Sequence, residues 1–224
     1  MTAKPLNDAE KKAHVAAIDR VMKSLYPDAV CSLEHKEDPF RLLVMARLSA
    51  QCTDARVNIV SEELFRMLPD AKAMAEAPIE TIEELIRPCG LFHTKAKNIR
   101  DMSQMLLDRF GGQVPSGMDE LLSLPGVGRK IANLIRGDHF GLGGIVADTH
   151  CIRLSGRFGL TDGDDPVKVE RTLDALVPKS EQSDYCHRMV YFGRDYCRAA
   201  SPRCDECPLK KEDPALCRYE KPKK

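Results

Sequence analysis

Four of the nine cysteines fall in the last 28 residues, as Cys197-x6-Cys204-x2-Cys207-x9-Cys217. In a reducing compartment, clustered thiols point to a metal site rather than to disulfides. Four thiolates can hold a tetrahedral zinc ion or an iron–sulfur cluster. Zinc ribbons usually offer two close Cys pairs, whereas here only Cys204 and Cys207 are close, so the spacing favours [4Fe–4S]. The remaining thiols, Cys31, Cys52, Cys89, Cys151 and Cys186, are scattered and read as ordinary buried side chains.

A second constellation is Leu124-Pro125-Gly126-Val127-Gly128-Arg129-Lys130. One apolar position between two glycines makes a tight hairpin, with Pro125 closing the helix before it. Such a turn presents backbone N–H groups at the start of a new helix, which suits a phosphate. Gly126, Val127, Gly128 and Arg129 are therefore candidates for contacts that hold a nucleic-acid backbone without reading bases. Lys130 follows in the first helical turn. A lysine becomes a nucleophile when partial burial or a positive field removes its proton, and the helix N-terminus supplies such a field. Asp148, in Ala147-Asp148-Thr149-His150, reads as the N-cap of the next helix. A carboxylate held by helix N–H groups stays ionised and can also face a developing positive charge, so capping and catalysis are compatible.

The elements that must position these residues are helical. Val15, Ile18, Met22 and Leu25 recur at helical spacing over Asp8 to Tyr26, and Pro27 stops the run. Asp38-Pro39 predicts a cap and a first-turn proline for a helix through Leu48 that is apolar on nearly every side. Asp54 is expected to cap Val57 to Met67. Short helices follow Asp70 and Pro78, and Leu91-Phe92-His93 forms an apolar tip before a Lys95-to-Phe110 helix closed by Gly111-Gly112. No strand-like alternation, repeat or low-complexity tract is evident. The expectation is an all-α chain of about ten helices with short connections.

Composition limits the alternatives. Lys+Arg and Asp+Glu both number 34, so any polyanion-binding surface must come from local charge placement. Residues 187–224 hold ten Lys/Arg against six Asp/Glu, a local positive excess. No apolar run approaches the roughly 20 residues needed to span a bilayer, and Met1 to Lys12 lacks the apolar core of a signal peptide. A cytoplasmic monomer is expected, nucleoid-associated if bacterial.

Together these marks resemble the endonuclease III family of base-excision DNA glycosylases. The resemblance spans nearly the whole chain. It is carried by Leu48-Ser49-Ala50-Gln51-Cys52-Thr53-Asp54, Gly90-Leu91 with Lys95-Ala96, Leu124 to Lys130, Ala147 to His150, and the cysteine tail. It implies a two-domain helix-hairpin-helix fold: a six-helix barrel over residues 31–142, and an iron–sulfur cluster domain from 1–30 with 143–224. It further implies a bifunctional glycosylase and abasic-site lyase that removes oxidised pyrimidines from duplex DNA. Lys130 would be the Schiff-base nucleophile and Asp148 the catalytic aspartate. Gln51 and Leu91 would fill the gap in the duplex, with His150 at the strand opening. Cys197, Cys204, Cys207 and Cys217 would bind [4Fe–4S] and order a loop whose Arg198 and Arg203 reach phosphates.

The chain departs from the family's commonest form at two places. The final cysteine spacing is x9 rather than x5, as if Lys210 to Pro214 were inserted, and Ala147 stands where valine is more usual. Two rivals remain. A monofunctional adenine-mismatch glycosylase generally lacks a lysine at the position of Lys130 and carries an extra C-terminal domain for which this length leaves no room. A non-catalytic DNA-binding module would use the hairpin alone, beside a structural zinc.

Overall fold

The computed structural model describes residues 6–35 and 37–220, and among these every regular element is helical. The chain divides into two compact units, Cys31–Gly141 and Met1–Val30 with Leu142–Lys224. The tips of the expected cluster domain, residues 1–5 and 221–224, lie outside the described residues.

Helix α1 (Asp8–Leu25) starts at Asn7, which forms a reciprocal capping box with Glu10. Helix α2 (Pro39–Leu48) starts as expected, with the Asp38 carboxylate accepting from the N–H groups of Phe40 and Arg41 at 2.8 and 3.2 Å. Helix α3 (Asp54–Met67) begins earlier than the apolar spacing suggests, because Thr53 is its cap and Asp54 lies in its first turn. Both residues are good caps, and Thr53 has the extended backbone that a cap needs.

Helices α4 (Ala71–Glu76) and α5 (Ile79–Ile86) are short, and a 3-10 turn over Arg87–Cys89 follows. Helix α6 (Phe92–Phe110) starts three residues before the expected Lys95. The residue that launches it, Leu91, is left-handed at φ 49°, a start that a hydrophobicity pattern does not reveal. Helix α7 (Met118–Ser123) and helix α8 (Arg129–Asp138) form the two arms of the hairpin.

In the first unit α2 is the central rod, with Leu42, Leu43, Val44, Met45 and Leu48 all sealed from solvent. Helix α6 lays Ala96, Ile99, Met102 and Leu106 into the same core and packs against α4 and α5. Each large apolar side chain buried in this way contributes roughly 1.5–3 kcal/mol before entropy is charged against it. Helix α8 packs on α7 and on α2, so the hairpin is fastened to the rod itself.

The second unit gathers α1, α9 (Thr149–Arg157), α10 (Pro166–Leu176), α11 (Gln182–Asp195) and α12 (Pro208–Glu212). Its core stacks Val15, Ile18 and Met22 of α1 against Leu173, Tyr185, Met189 and Phe192. The buried guanidinium of Arg188 reaches Asp19 at 3.0 Å and so ties α11 to α1. Helix α12 is the element that the sequence pattern misses. Five residues are too few to display a helical period, although Pro208 at its first turn is a favoured start. Among the described residues no helix is long and apolar enough to cross a membrane.

Candidate active site and cysteine cavity

The hairpin is shaped by one glycine from within and left open at the other. Gly126 has φ +78°, and a Cβ there would stand 2.7 Å from Arg47 Nε and 2.9 Å from two atoms of Asn98. Arg47 on α2 donates twice to Asn98 Oδ1 of α6, at 3.0 and 2.8 Å, so the turn is pressed onto a fixed polar pair. Gly128 is different. It is the N-cap of α8 with extended backbone at φ −103°, and a Cβ there would meet no atom of the chain within 4 Å. The hairpin thus needs positive φ at Gly126 alone.

Val127 corrects part of the expected grip. Its side chain is buried and its N–H is bonded to Leu124 O at 3.1 Å, so it anchors the turn inward instead of offering its N–H to a phosphate. Arg129 and Lys130 are exposed as the first two residues of α8. Lys130 therefore stands in the first turn of α8, open to solvent at the positive end of the helix.

Gln51 and Leu91 share an unusual backbone. Both have left-handed φ, 55° and 49°, both are exposed, and each sits just beyond a short helical element. A non-glycine residue held there costs roughly 1–3 kcal/mol and persists only where its surroundings enforce it. A lysine, Lys95, reaches the segments that precede both residues. It is fully buried, and its Nζ donates to Leu48 O and to Cys89 O, each at 2.8 Å. Desolvation by burial draws its pKa down from the usual lysine value.

In the other unit Asp148 caps α9, with its carboxylate accepting from Cys151 N at 2.7 Å. Ala147 lies part-buried against the unit's core. The His150 ring is half-buried, and its Nδ1 accepts from Arg153 at 3.0 Å. Arg153 also donates to Cys197 O at 3.1 Å. One side chain therefore joins the start of α9 to the first cysteine of the tail.

Among the described residues no three His, Cys, Asp or Glu side chains close to the distances of a single-ion site. All four tail cysteines nonetheless line one small cavity of about 10 Å³, walled by Phe158, Phe192, Tyr196 and Tyr219. The shared lining is the observation that bears on fit, because four thiols converging on one place are the donor set that an iron–sulfur cluster takes. Burial pushes the Cys207 and Cys217 thiols above their ordinary pKa, while backbone N–H groups near both pull the other way. Arg157, the last residue of α9, donates to Cys197 Sγ at 3.1 Å, to Arg198 O at 2.8 Å and to Ala199 O at 3.0 Å. Its own carbonyl accepts from Arg218 N at 2.9 Å, next to Cys217. The residues between Cys207 and Cys217 form α12 and a 3-10 turn over Pro214–Leu216, capped by Asp213. Arg198 and Arg203 are both exposed on the loop; Arg198 Nε donates to Arg194 O, and Arg203 lies 3.9 Å from Glu206.

Residues 44–179 match the model of the HhH-GPD superfamily base excision DNA repair proteins. The endonuclease III of Synechocystis sp. is 46% identical over 202 residues, which is 90% of this chain and 92% of that one. The chain belongs to the endonuclease III family. Among solved structures, a non-covalent endonuclease III–DNA complex superposes with a TM-score of 0.86 at 43% identity, covering 92% of this chain and 95% of that one. A trapped endonuclease III–DNA covalent intermediate superposes at 0.85 with 44% identity, covering 93% and 95%.

Within this endonuclease III family chain, Gln51, Leu91, the hairpin and Lys130 belong to the unit Cys31–Gly141. Asp148, His150, Arg198, Arg203 and the four tail cysteines belong to the other. Sequence reasoning missed three residues that hold the site: Arg47 beneath Gly126, Arg153 behind His150, and Arg157 against the tail. Each reads as an ordinary helix arginine, and only the fold reveals the acceptors it meets: Asn98 Oδ1 for Arg47, and tail carbonyls for Arg153 and Arg157.

Proposed function

We propose that this chain is a bifunctional DNA glycosylase and abasic-site lyase of base excision repair. It acts as a monomer on duplex DNA carrying oxidised pyrimidines or abasic sites. Family membership supports this reading, as do relatives solved on DNA, one of them as a trapped covalent intermediate. Residues 31–142 serve as the six-helix barrel, and 1–30 with 143–224 as the cluster domain. The observation that carries the chemistry is Lys130 at the second position of α8, two residues after Gly128, a glycine with open space above it.

C1′ is out of reach in stacked DNA, so the damaged nucleotide must turn out of the helix, at a cost of a few kcal/mol. Gly126, Gly128 and Arg129 hold the backbone of that strand, while Gln51 and Leu91 fill the vacated space. Lys130, as the free amine, attacks C1′, and the base departs with the electrons of the glycosidic bond. Asp148 stabilises the positive charge on the sugar or carries a proton. The imine that remains acidifies the 2′ hydrogen, and its loss expels the 3′ phosphate by β-elimination. His150 lines the strand opening, and Arg198 and Arg203 meet phosphates from the tail loop.

Cys197, Cys204, Cys207 and Cys217 are the residues that would hold a [4Fe–4S] cluster in the cavity they line. When bound, the cluster supplies structural cross-linking of the tail rather than a reaction step. Brown colour with thiolate-to-iron absorbance would distinguish it from zinc.

The test is reductive trapping. Borohydride should capture a covalent adduct between the protein and duplex DNA bearing thymine glycol or an abasic site. Lys130→Gln should abolish that adduct, and an undiminished adduct would remove Lys130 from the mechanism.

A further inference from the structure

Lys95 is a costly residue to place where it stands. A lysine ammonium is strongly hydrated and is rarely sealed from water without partners. Here no part of the residue is exposed, so it cannot touch DNA. Its ammonium instead bridges two carbonyls, Leu48 O at the end of α2 and Cys89 O at the end of the Arg87–Cys89 turn. A cation suits the last carbonyls of a helical element, where unpaired C=O groups and the negative end of the dipole converge.

Both carbonyls lie just upstream of a strained residue. Gln51 is three positions after Leu48, and Leu91 is two positions after Cys89. The backbone N–H of Lys95 also bonds Leu91 O at 3.0 Å, so one residue grips the second loop before and at its left-handed position. The intervening turn of the first loop is closed by Cys52 N to Ser49 O at 3.1 Å. Two carbonyls held by one nitrogen must stand side by side, which brings the roots of the two loops together.

We propose that Lys95 is a positioning residue for gap filling: its buried ammonium clamps the two loop roots so that Gln51 and Leu91 are presented as one preformed wedge. This rests on the reading of Gln51 and Leu91 as the residues that enter the duplex. Pre-assembly matters because two left-handed residues released from their clamp would relax independently, and the ordering would then have to be recovered during DNA binding.

The experiment compares two abasic-site substrates. One is an intact duplex, and in the other the opposite strand lacks the nucleotide facing the site, leaving nothing for a wedge to displace. For Lys95→Met, kcat/KM should fall on the intact duplex by about tenfold more than on the gapped one. Leu91→Ala should show the same bias, and the Lys95→Met/Leu91→Ala double variant should lose little beyond the worse single variant. Equal losses on both substrates, or fully additive losses, would reduce Lys95 to a core residue and overturn the proposal. Absence of bias in Leu91→Ala would instead remove the wedge reading itself. Where Lys95→Met does not fold, Lys95→Gln, which keeps a donor, takes its place with the same expected bias. If neither folds, the role is stability alone and the proposal falls.

Discussion

The hairpin and the cysteine tail solve the same problem by opposite means. The hairpin, Leu124 to Lys130, owes its shape to backbone: Gly126 takes a left-handed turn against Arg47 and Asn98, and helices α7 and α8 flank it closely. Little side-chain bonding within the turn is needed. The tail from Cys197 to Cys217 contains only α12 and a 3-10 turn, and side chains reaching in from α9 hold it. A turn fixed by φ angles fails by steric strain, whereas a loop held by donated hydrogen bonds fails by losing donors. The two regions should therefore respond to different substitutions.

The largest expected effect is Gly126→Ala. It forces an L side chain into φ +78° and sets its Cβ 2.7 Å from Arg47 Nε. The combined strain should cost about 2–4 kcal/mol, seen as a lower denaturant midpoint, together with weakened DNA binding. Gly128→Ala is the partner measurement. It should leave stability within about 0.5 kcal/mol, because its φ is ordinary and the site is open, yet lower affinity for abasic duplex by about tenfold. If both substitutions moved stability equally, the contrast drawn between the two glycines would collapse.

Arg157→Met tests the tail. It removes the donors to Cys197 Sγ, Arg198 O and Ala199 O, and should cost about 1–3 kcal/mol while leaving the hairpin unchanged. The tail should become more susceptible to proteolysis, and binding of undamaged DNA should weaken less than in Gly126→Ala. A tail with unchanged protease resistance would show that its order does not depend on these bonds.

The smallest effect concerns pH and belongs to the unit containing the hairpin. Desolvation, aided by Asp138, pushes the Cys31 thiol from 9.0 up to about 12. A raised folded-state pKa means that Cys31 costs nothing below pH 9. Above that the unfolded chain loses its proton first, and stability declines as pH rises towards 12. Cys31→Ala should flatten this alkaline slope in unfolding measurements; an unchanged slope would assign it to other groups.

Local chemistry was legible where a single residue type carries a single geometry. Asp38-Pro39 announced α2, Asp148 announced α9, and the two glycines announced the hairpin. Legibility ended where two residues compete or where tertiary contact decides. Thr53 and Asp54 are both plausible caps, and only the backbone angles select Thr53. Leu91 looks like an apolar tip, but its φ is left-handed, and Lys95 bonds the carbonyl two residues before it. Lys95 itself sits in a sequence that gives no sign of complete burial. Val127 illustrates the same limit inside the motif, since its spacing fits a phosphate grip while its side chain and N–H both turn inward.

Helix α9 carries a constraint of its own. Asp148 stands at its N-cap and Arg157 is its ninth and last residue, so one rigid rod fixes the carboxylate and the tail's clamp at a set separation and angle. Each residue of an α-helix advances roughly 1.5 Å and turns about 100°. Inserting or deleting one residue between them would swing the clamp away from Cys197 or the carboxylate out of its bearing, and no loop lies between them to absorb the change. The interval before Cys217 is filled by α12 and a 3-10 turn, where an added residue has a loop to fall into; the nine residues of α9 form a ruler with no such slack.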